Sequence, residues 1–144
     1  LVDDFIVRDT KITQIIQLAR EAGARNVYMA SAAPALRYQN VYGIDMPARE
    51  EFVAHQRSEE EVAKMIGADW LVYQSIEDLK KSCHEGNPHV TDFECSAFDG
   101  KYITGDVGAD YLAKVSAQRS DASKRQKQLS LLKDTNVLDL HNHA

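Results

Sequence analysis

Two adjacent carboxylates near the start of the chain are the residues best placed to do chemistry. Asp3 and Asp4 follow the apolar pair Leu1-Val2 and precede a short loop and an amphipathic helical pattern. In α/β folds this order puts acidic side chains at the carboxyl end of a strand, beside a helix N-terminus that attracts phosphate. The pattern therefore indicates a sugar-phosphate site. A solvated acidic turn after a strand is the alternative interpretation.

The elements that would position these carboxylates are predicted to form a βαβ unit. Leu1 to Asp4 is typical of the end of a buried strand, and residues 26–33 form a second candidate strand that stops before Pro34. Between them, apolar residues recur at helical spacing as far as Gly23, which suits the position after a helix. These residues are Ile12, Ile15, Ile16, Ala19 and Ala22. A strand, a helix and a strand imply parallel pairing with a right-handed crossover.

The rest of the chain is predicted to add short helices, one strand and a hairpin. The predicted elements are helices over 49–56, 59–66, from Ser75 onward and over 110–118, with a strand over 70–73 and a loop over 34–47. The helix at 59–66 opens with a capping box formed by Ser58 and Glu61. Residues 93–104 are typical of a β-hairpin that turns at Asp99-Gly100.

Composition places the chain among ordinary globular proteins. Its 144 residues suit one domain, with 44% hydrophobic and 27% charged residues. A net charge of -5 argues against general binding to nucleic acid or to anionic membranes, and no apolar run approaches the roughly 20 residues that span a bilayer. Cys83 and Cys95 are too few for a disulfide framework, which favours a reducing, cytoplasmic setting. Because the chain starts inside an apparent strand, we expect an N-terminal part to precede it.

The first eleven residues resemble the phosphoribosylpyrophosphate (PRPP) motif of type I phosphoribosyltransferases. That motif has two or three apolar residues, Asp-Asp, a small residue, Ile-Val, any residue and Gly-Thr-Thr. Further segments extend the resemblance in order along the chain: Ala30–Pro34, Arg37-Tyr38, Asn40–Pro47, Ile66–Asp69 and Phe93–Asp106. Together they are similar to the C-terminal part of the amidophosphoribosyltransferase family, and the match extends to about Arg119.

The resemblance implies an α/β architecture that is part of the type I phosphoribosyltransferase fold. It predicts a short, mainly parallel sheet flanked by helices in three layers, with a C-terminal hairpin and a helical tail. Residues 1–118 would be the C-terminal portion of the phosphoribosyltransferase domain. Residues 119–144 are rich in polar side chains and would be a partly helical or disordered tail.

The resemblance also implies a reaction and its ligands. In this family, ammonia released from glutamine displaces pyrophosphate from PRPP and gives 5-phosphoribosylamine, the first step of purine synthesis. Asp3 and Asp4 would bind the ribose hydroxyls and hold Mg²⁺, which prefers hard oxygen ligands. The 5′-phosphate loop would comprise Ile6, Val7, Arg8, Asp9, Thr10 and Lys11. PRPP or a purine nucleotide is the implied ligand, and a homo-oligomer is the implied assembly. The ammonia-releasing cysteine would lie upstream of Leu1, so no catalytic residue is assigned to this chain.

Three residues of the loop depart from the motif. Phe5 stands for the small residue, Asp9 for the glycine and Lys11 for the second threonine. A small residue and a glycine let the backbone close around an anion, whereas a carboxylate about 4 Å from a phosphate charge costs on the order of 4 kcal/mol at an effective dielectric of about 20. The Lys11 ammonium offsets part of that cost. We therefore predict severely weakened phosphate binding and expect no independent catalysis by this chain.

Two metal-binding possibilities are weighed against the cysteine and histidine spacing. Some family members carry an iron–sulfur cluster on a Cys-x-x-Cys-Phe-x-Gly pattern. Here Ser96-Ala97 precede Phe98, so we expect no cluster and a free, buried or partly buried thiol at Cys95. His141 and His143 beside Asp139 are either a weak transition-metal site or part of a polar terminus, and the second interpretation is preferred.

Two other classes of protein remain as alternatives. A receiver-like signalling domain would use Asp45, which precedes Met46-Pro47, as a phosphoacceptor, but receivers separate that aspartate from the Met-Pro pair. A non-catalytic remnant that binds a nucleotide or a partner subunit is the other alternative. Asp45 itself either faces the cleft or belongs to a structural turn, and the sequence favours the turn.

Overall fold

A computed structural model describes residues 1–120, 125–126 and 128–129. Within these residues three strands form one parallel sheet in the order β1 (Val2–Asp3), β2 (Tyr28–Ser31) and β3 (Trp70–Tyr73). Ala30 is the centre of the register, since it pairs with Val2 on one side and Val72 on the other. The predicted βαβ unit and its parallel pairing are confirmed.

Five α-helices and one 3₁₀ helix accompany the sheet in the described part of the chain. The α-helices are α1 (Asp9–Glu21), α2 (Glu59–Ile66), α3 (Ile76–Gly86), α4 (Ser96–Asp99) and α5 (Ala109–Arg119), and the 3₁₀ helix is Arg49–Glu51. None of the helices in the described ranges is long and apolar enough to cross a bilayer.

The main core lies between one face of the sheet and the helices α1 and α2. Met29 and Leu71 are neighbours on β2 and β3, and both are buried against Ile12, Ile16 and the α2 residues of the same cluster. The next residues along the strands alternate to the other face, as the pleat requires. On that face the strand residues Val2, Tyr28 and Trp70 are exposed. The predictions of a buried first strand and of a third layer are therefore wrong for the described residues, because no described element covers this face.

The capping box at the start of α2 is confirmed. The Ser58 hydroxyl accepts a hydrogen bond from the Glu61 N–H at 3.2 Å, and the Glu61 carboxylate accepts one from the Ser58 N–H at 2.8 Å. The helix ends at Gly67, whose φ of +80° lies in the left-handed region that favours glycine. These local signals are sufficient to predict where α2 begins and ends.

The predicted helix over 49–56 is wrong, because only Arg49–Glu51 is helical. Phe52 adopts an extended conformation and is fully buried, and Val53 donates its backbone N–H to the Val7 carbonyl at 2.8 Å. A bond to a segment 46 residues earlier in the sequence thus replaces the next helical turn. Phe52 forms a second small core with Leu36 and Met46.

The predicted hairpin over 93–104 is also wrong. Ser96–Asp99 forms the short helix α4, and Gly100 ends it with a φ of +73°. An Asp-Gly pair suits a helix end as well as a hairpin turn, since both require a residue with positive φ. The α4 segment is held by its Ala97 carbonyl, which accepts the N–H groups of Arg37 and Tyr38, both at 3.0 Å.

The predicted helices from Ser75 and over 110–118 are confirmed as α3 and α5. Most of the predicted tail at 119–144, including the His141 and His143 pair, lies outside the described residues.

Candidate functional site

A cavity of about 510 Å³ opens beside the carboxyl end of β1 and the start of α1. Its walls come from the segment after β1, from the first turn of α1 and from a loop that follows β2. The lining residues are Asp3, Asp4, Phe5, Ile6, Val7, Arg8, Lys11, Ile12, Asp45, Met46 and Pro47. Of the eight predicted site residues, the cavity brings together six and leaves Asp9 and Thr10 outside.

The two carboxylates lie where the chain leaves the sheet. Asp3 pairs with Ser31 at the end of β1, and its backbone carbonyl accepts the Ala32 N–H at 2.9 Å. One side-chain oxygen of Asp3 accepts the Asp4 N–H at 3.1 Å, and one of Asp4 accepts the Phe5 N–H at 3.0 Å. These bonds orient both carboxylates while leaving the second oxygen of each without a hydrogen bond from the described residues. The second oxygens are therefore able to bind a ligand.

The loop between β1 and α1 is held in place by the main core and by residues 51–53. Ile6 is buried in the main core, and the Val7 carbonyl accepts the Val53 N–H. Arg8 precedes α1 with an extended backbone and forms an ion pair with Glu51. These contacts fix the loop at Ile6, Val7 and Arg8. The loop and the Lys11 side chain together form one wall of the cavity.

Asp9 and Thr10 lie on a neighbouring depression of about 390 Å³, which they share with Glu50, Glu51 and Arg57. Asp9 is the acidic residue in the first turn of α1, and the Thr10 hydroxyl donates to its carboxylate at 3.3 Å. Asp9, which replaces the glycine of the motif, therefore lines this depression and not the cavity that Lys11 lines. Its charge still acts at the helix N-terminus, where anions are stabilised.

The opposite wall of the cavity is a loop organised by Asn40, which is 2% exposed. The Asn40 side-chain oxygen accepts the N–H groups of Tyr42 at 2.8 Å and Ile44 at 3.3 Å. Its backbone N–H points to the Met46 sulfur at 3.4 Å, and its carbonyl accepts a 2.7 Å bond from Arg119. This arrangement brings Asp45 to the cavity.

Asp45 thus lines the cavity, although the sequence favoured a structural turn for it. Sequence analysis also missed Asn40 as the residue that holds the loop. A signal for it was present, because asparagine side chains accept backbone N–H groups two residues later in turns.

The charges around the cavity limit what it can bind. Three carboxylates, from Asp3, Asp4 and Asp45, and the Lys11 ammonium line it, together with the Glu51-paired Arg8. In the part of the chain that the structure describes, no group of three or more His, Cys, Asp or Glu residues could hold a metal ion. Two carboxylates fit Mg²⁺ only when water and ligand oxygens complete its octahedral shell.

The two cysteines lie apart from this site. Cys83 is exposed, whereas Cys95 is buried, and burial raises the pKa of the Cys95 thiol. Because the thiolate is the reactive form, a raised pKa makes this thiol less reactive at neutral pH than a free cysteine.

Comparison with known proteins relates the whole chain to one enzyme. No family model matches. The chain is 54% identical over 142 residues to the amidophosphoribosyltransferase of Pseudomonas aeruginosa, and 46% identical over 144 residues to that of Escherichia coli K12. These matches cover 99% and 100% of this chain but 28% of each relative, so the chain spans little more than a quarter of their length.

Solved structures give the same relationship. The glutamine PRPP amidotransferase of Bacillus subtilis, complexed with ADP and GMP, superposes with a TM-score of 0.61 and 36% identity, covering 77% of this chain and 25% of that one. A second structure, described as the allosteric regulatory enzyme of purine biosynthesis, gives a TM-score of 0.62 and 35% identity over the same shares.

Proposed function

The chain belongs to the amidophosphoribosyltransferase family and matches the C-terminal part of its members, and we propose that it forms the ribose- and 5′-phosphate-binding half of a PRPP site within a longer enzyme. The observation that carries this proposal is the cavity in which Asp3 and Asp4 meet the first turn of α1. The solved structures that this chain resembles have the phosphoribosyltransferase fold. Amidophosphoribosyltransferases catalyse the first step of purine synthesis.

Each wall of the cavity has a role in this proposal. The unbonded oxygens of Asp3 and Asp4 accept hydrogen bonds from the ribose hydroxyls. The Lys11 ammonium and the N–H groups at the start of α1 bind the 5′-phosphate. Asp3 and Asp4 would hold Mg²⁺ together with oxygens of the ligand, and the ion would supply charge neutralisation at the pyrophosphate. The cytoplasmic location and the homo-oligomer implied by the resemblance are parts of the same proposal.

Binding of the phosphate is proposed to be weak in this chain. The Asp9 carboxylate lies in the first turn of α1. Its negative charge offsets the positive end of the helix dipole, which would otherwise attract the phosphate. Phe5 also lines the cavity with a bulky side chain, where a small residue would leave room for the ligand. Lys11 restores one positive charge but not the open backbone.

A binding titration tests the first part of this proposal. PRPP with Mg²⁺ is added to the ¹⁵N-labelled chain, and amide shifts are followed. We expect shifts at residues 3–11 and 45–47, with a Kd weaker than about 1 mM, which corresponds to about −4 kcal/mol. Tighter binding would refute the weakened loop, and shifts confined to other residues would refute the site.

Restoring the motif separates the loop from the carboxylates. The triple variant Phe5→Ser, Asp9→Gly, Lys11→Thr should bind PRPP at least about tenfold more tightly, a gain of about 1.4 kcal/mol. Adding Asp3→Asn and Asp4→Asn to this variant should remove the gain. Asp110→Asn, on the exposed first turn of α5, is the matched control and should leave the Kd unchanged. If the double Asn change has no more effect than the control, the carboxylates do not bind the ribose.

Activity is tested in a full-length chimera. This chain replaces the matching 28% of the Pseudomonas aeruginosa enzyme, and formation of 5-phosphoribosylamine is measured. We expect a raised KM for PRPP that the triple variant lowers. A chimera as active as the parent enzyme would contradict the weakened loop while leaving the assignment of the site intact.

A purine nucleotide is a second candidate ligand, because the related Bacillus subtilis structure contains ADP and GMP. Titration with GMP in the same experiment distinguishes the two ligands. A non-catalytic remnant that binds a nucleotide would show amide shifts with GMP and none with PRPP. The receiver-like alternative has lost its support, because Asp45 lies in a loop and the whole chain is homologous to another family.

A further inference from the structure

A cavity of about 220 Å³ lies between the 3₁₀ helix and α5, and we call it the α5 cavity. Arg49 and Glu50 of the 3₁₀ helix line it, and Leu112 and Ala113 of α5 give it an apolar wall. Its described lining shares no residue with the cavity beside Asp3. The α5 cavity is therefore a separate place where a small molecule could bind.

Arg49 brings an unused hydrogen-bond donor to the α5 cavity. Its Nε atom is buried, and no described residue accepts a hydrogen bond from it. The guanidinium lies over the Tyr38 ring, with Cζ 5.1 Å from the ring centroid. Stacking of this kind holds the guanidinium in place without using its N–H groups. Because a buried donor without an acceptor is costly, the cavity calls for a molecule that supplies one.

Glu50 brings the opposite charge. Its carboxylate accepts a hydrogen bond from the Ser116 hydroxyl at 2.6 Å. That bond is the main reason that the pKa of Glu50 is lowered, so the group is ionised at neutral pH. Among the described residues, no ion pair joins Glu50 to Arg49. A cation and an anion therefore line one cavity without pairing with each other.

These charges specify the chemistry of the ligand. A carboxylate is the acceptor that best fits a guanidinium, and an ammonium group is the donor that fits the Glu50 carboxylate. A simple anion would be repelled by Glu50, and a simple cation by Arg49. The volume equals that of about seven water molecules at roughly 30 Å³ each, so the ligand is small.

We infer that the α5 cavity binds a free α-amino acid with an aliphatic side chain. The carboxylate of the amino acid accepts hydrogen bonds from Arg49, and its ammonium group donates to Glu50. Its side chain packs against Leu112 and Ala113, so the bound molecule links the 3₁₀ helix to α5. The inference concerns non-covalent binding and does not depend on PRPP.

A titration of the ¹⁵N-labelled chain with L-leucine tests this inference. We expect amide shifts at residues 38–39, 49–50, 102 and 109–116, with a Kd on the order of 1 mM for so small a ligand. Two analogues then remove one charge each. 4-Methylpentanoate lacks the ammonium group and 3-methylbutylamine lacks the carboxylate, and each should bind at least about tenfold more weakly than leucine.

Variants assign the two charges to their residues. Arg49→Met and Glu50→Gln should each weaken leucine binding by at least about tenfold. The matched controls are Arg25→Met and Glu77→Gln, since both residues are exposed and lie outside the described lining of the α5 cavity. Melting temperatures establish that the variants fold. If Arg49→Met does not fold, the comparison of the analogues on the parent chain decides the question.

Three results would overturn the inference. The first is that leucine shifts none of these amides at concentrations well above 1 mM, about the expected Kd, which would show a cavity filled by water only. The second is that either analogue binds as tightly as leucine. The third is that Arg49→Met and Glu50→Gln bind leucine as their controls do. PRPP is absent throughout, so a failure here is separate from a failure of the proposed function.

Discussion

At the scale of single residues, the cavity depends on Asn40 as much as on the carboxylates that line it. One buried amide oxygen accepts two backbone N–H groups, and the same residue contacts Met46, Glu94 and Arg119. The loop that carries Asp45 has no strand or helix of its own. Its conformation is therefore held by the Asn40 side chain, together with bonds such as the one from the Gln39 side chain to the Pro47 carbonyl at 3.5 Å.

Replacing Asn40 tests this dependence. Asn40→Ala leaves the Tyr42 and Ile44 N–H groups without their partner, and should lower the free energy of unfolding by about 1–3 kcal/mol. Urea unfolding provides the measurement. Asn87→Ala is the matched control, because Asn87 accepts one N–H, from His89 at 3.3 Å, on the surface, and should change stability by less than about 0.5 kcal/mol. Equal losses in both variants would show that Asn40 does not organise the loop.

The sequence predicted the site best where its residues are contiguous. Asp3, Asp4 and Lys11 lie within nine residues and around one strand–helix junction, so a local pattern places them together. Asp45 reaches the cavity from another loop, through contacts of Asn40 with α5 and with the α4 region. No local pattern contains that information, which is why its position remained open.

At the scale of elements, the Ser116 side chain attaches α5 to the 3₁₀ helix. The Ser116 hydroxyl donates to the Glu50 carboxylate at 2.6 Å and accepts the Arg49 N–H at 3.3 Å. Hydrogen bonding from Ser116 is the main reason that the pKa of Glu50 is lowered in the folded chain, and a bond from its own backbone adds to it. The contact therefore favours the ionised carboxylate.

This contact predicts a pH dependence. Because the folded pKa of Glu50 lies below its unfolded value, the stabilisation is fully present above the ordinary value of 4.5 and is lost as the pH falls through the folded pKa. Ser116→Ala should raise the pKa of Glu50 and lower stability at neutral pH by roughly 0.5–1 kcal/mol. The difference from the parent chain should shrink in acid.

A ¹³C titration of the glutamate side chains, with urea unfolding at each pH, makes the measurement. Ser82→Ala is the control, since Ser82 donates to the Asp78 backbone carbonyl within α3 and has no hydrogen bond to a carboxylate among the described residues. A stability difference for Ser116→Ala that persists unchanged in acid would exclude the proposed coupling.

Element boundaries were predictable where the determinants are local. The capping box and Gly67 place α2, and Ser75 caps α3 through the Asp78 N–H at 3.0 Å. The two failures, at 49–56 and 93–104, have a common cause. In both, a distant partner competes with local propensity: Val7 for the N–H of Val53, and Arg37 with Tyr38 for the carbonyl of Ala97.

At the scale of the whole molecule, stability is unevenly distributed. The α2 helix buries Val62, Ala63 and Ile66 in the main core, whereas α3 buries none of its residues although it is the longer helix. Helical stability in proteins comes mainly from packing of an apolar face. The α3 helix should therefore open independently of the core.

Native-state hydrogen exchange tests this prediction. Amides of α3 should exchange through local opening at a free energy well below that of global unfolding, while amides of α2 and β3 should approach the global value. Helix α2 is the internal control, because the two helices have comparable N-terminal serine caps. Equal protection in both helices would show that α3 is packed as firmly as the core.

What the sequence determined by itself is the strand–helix junction with its paired carboxylates, the parallel βαβ order and the family. These features depend on residues that are close together in the sequence and on the local hydrogen bonds between them. Tertiary structure alone decided that Asp45 faces the cavity, that Asp9 turns to a neighbouring depression and that one face of the sheet is uncovered. Those outcomes follow from packing between segments tens of residues apart, where burial and competing backbone partners outweigh local preference.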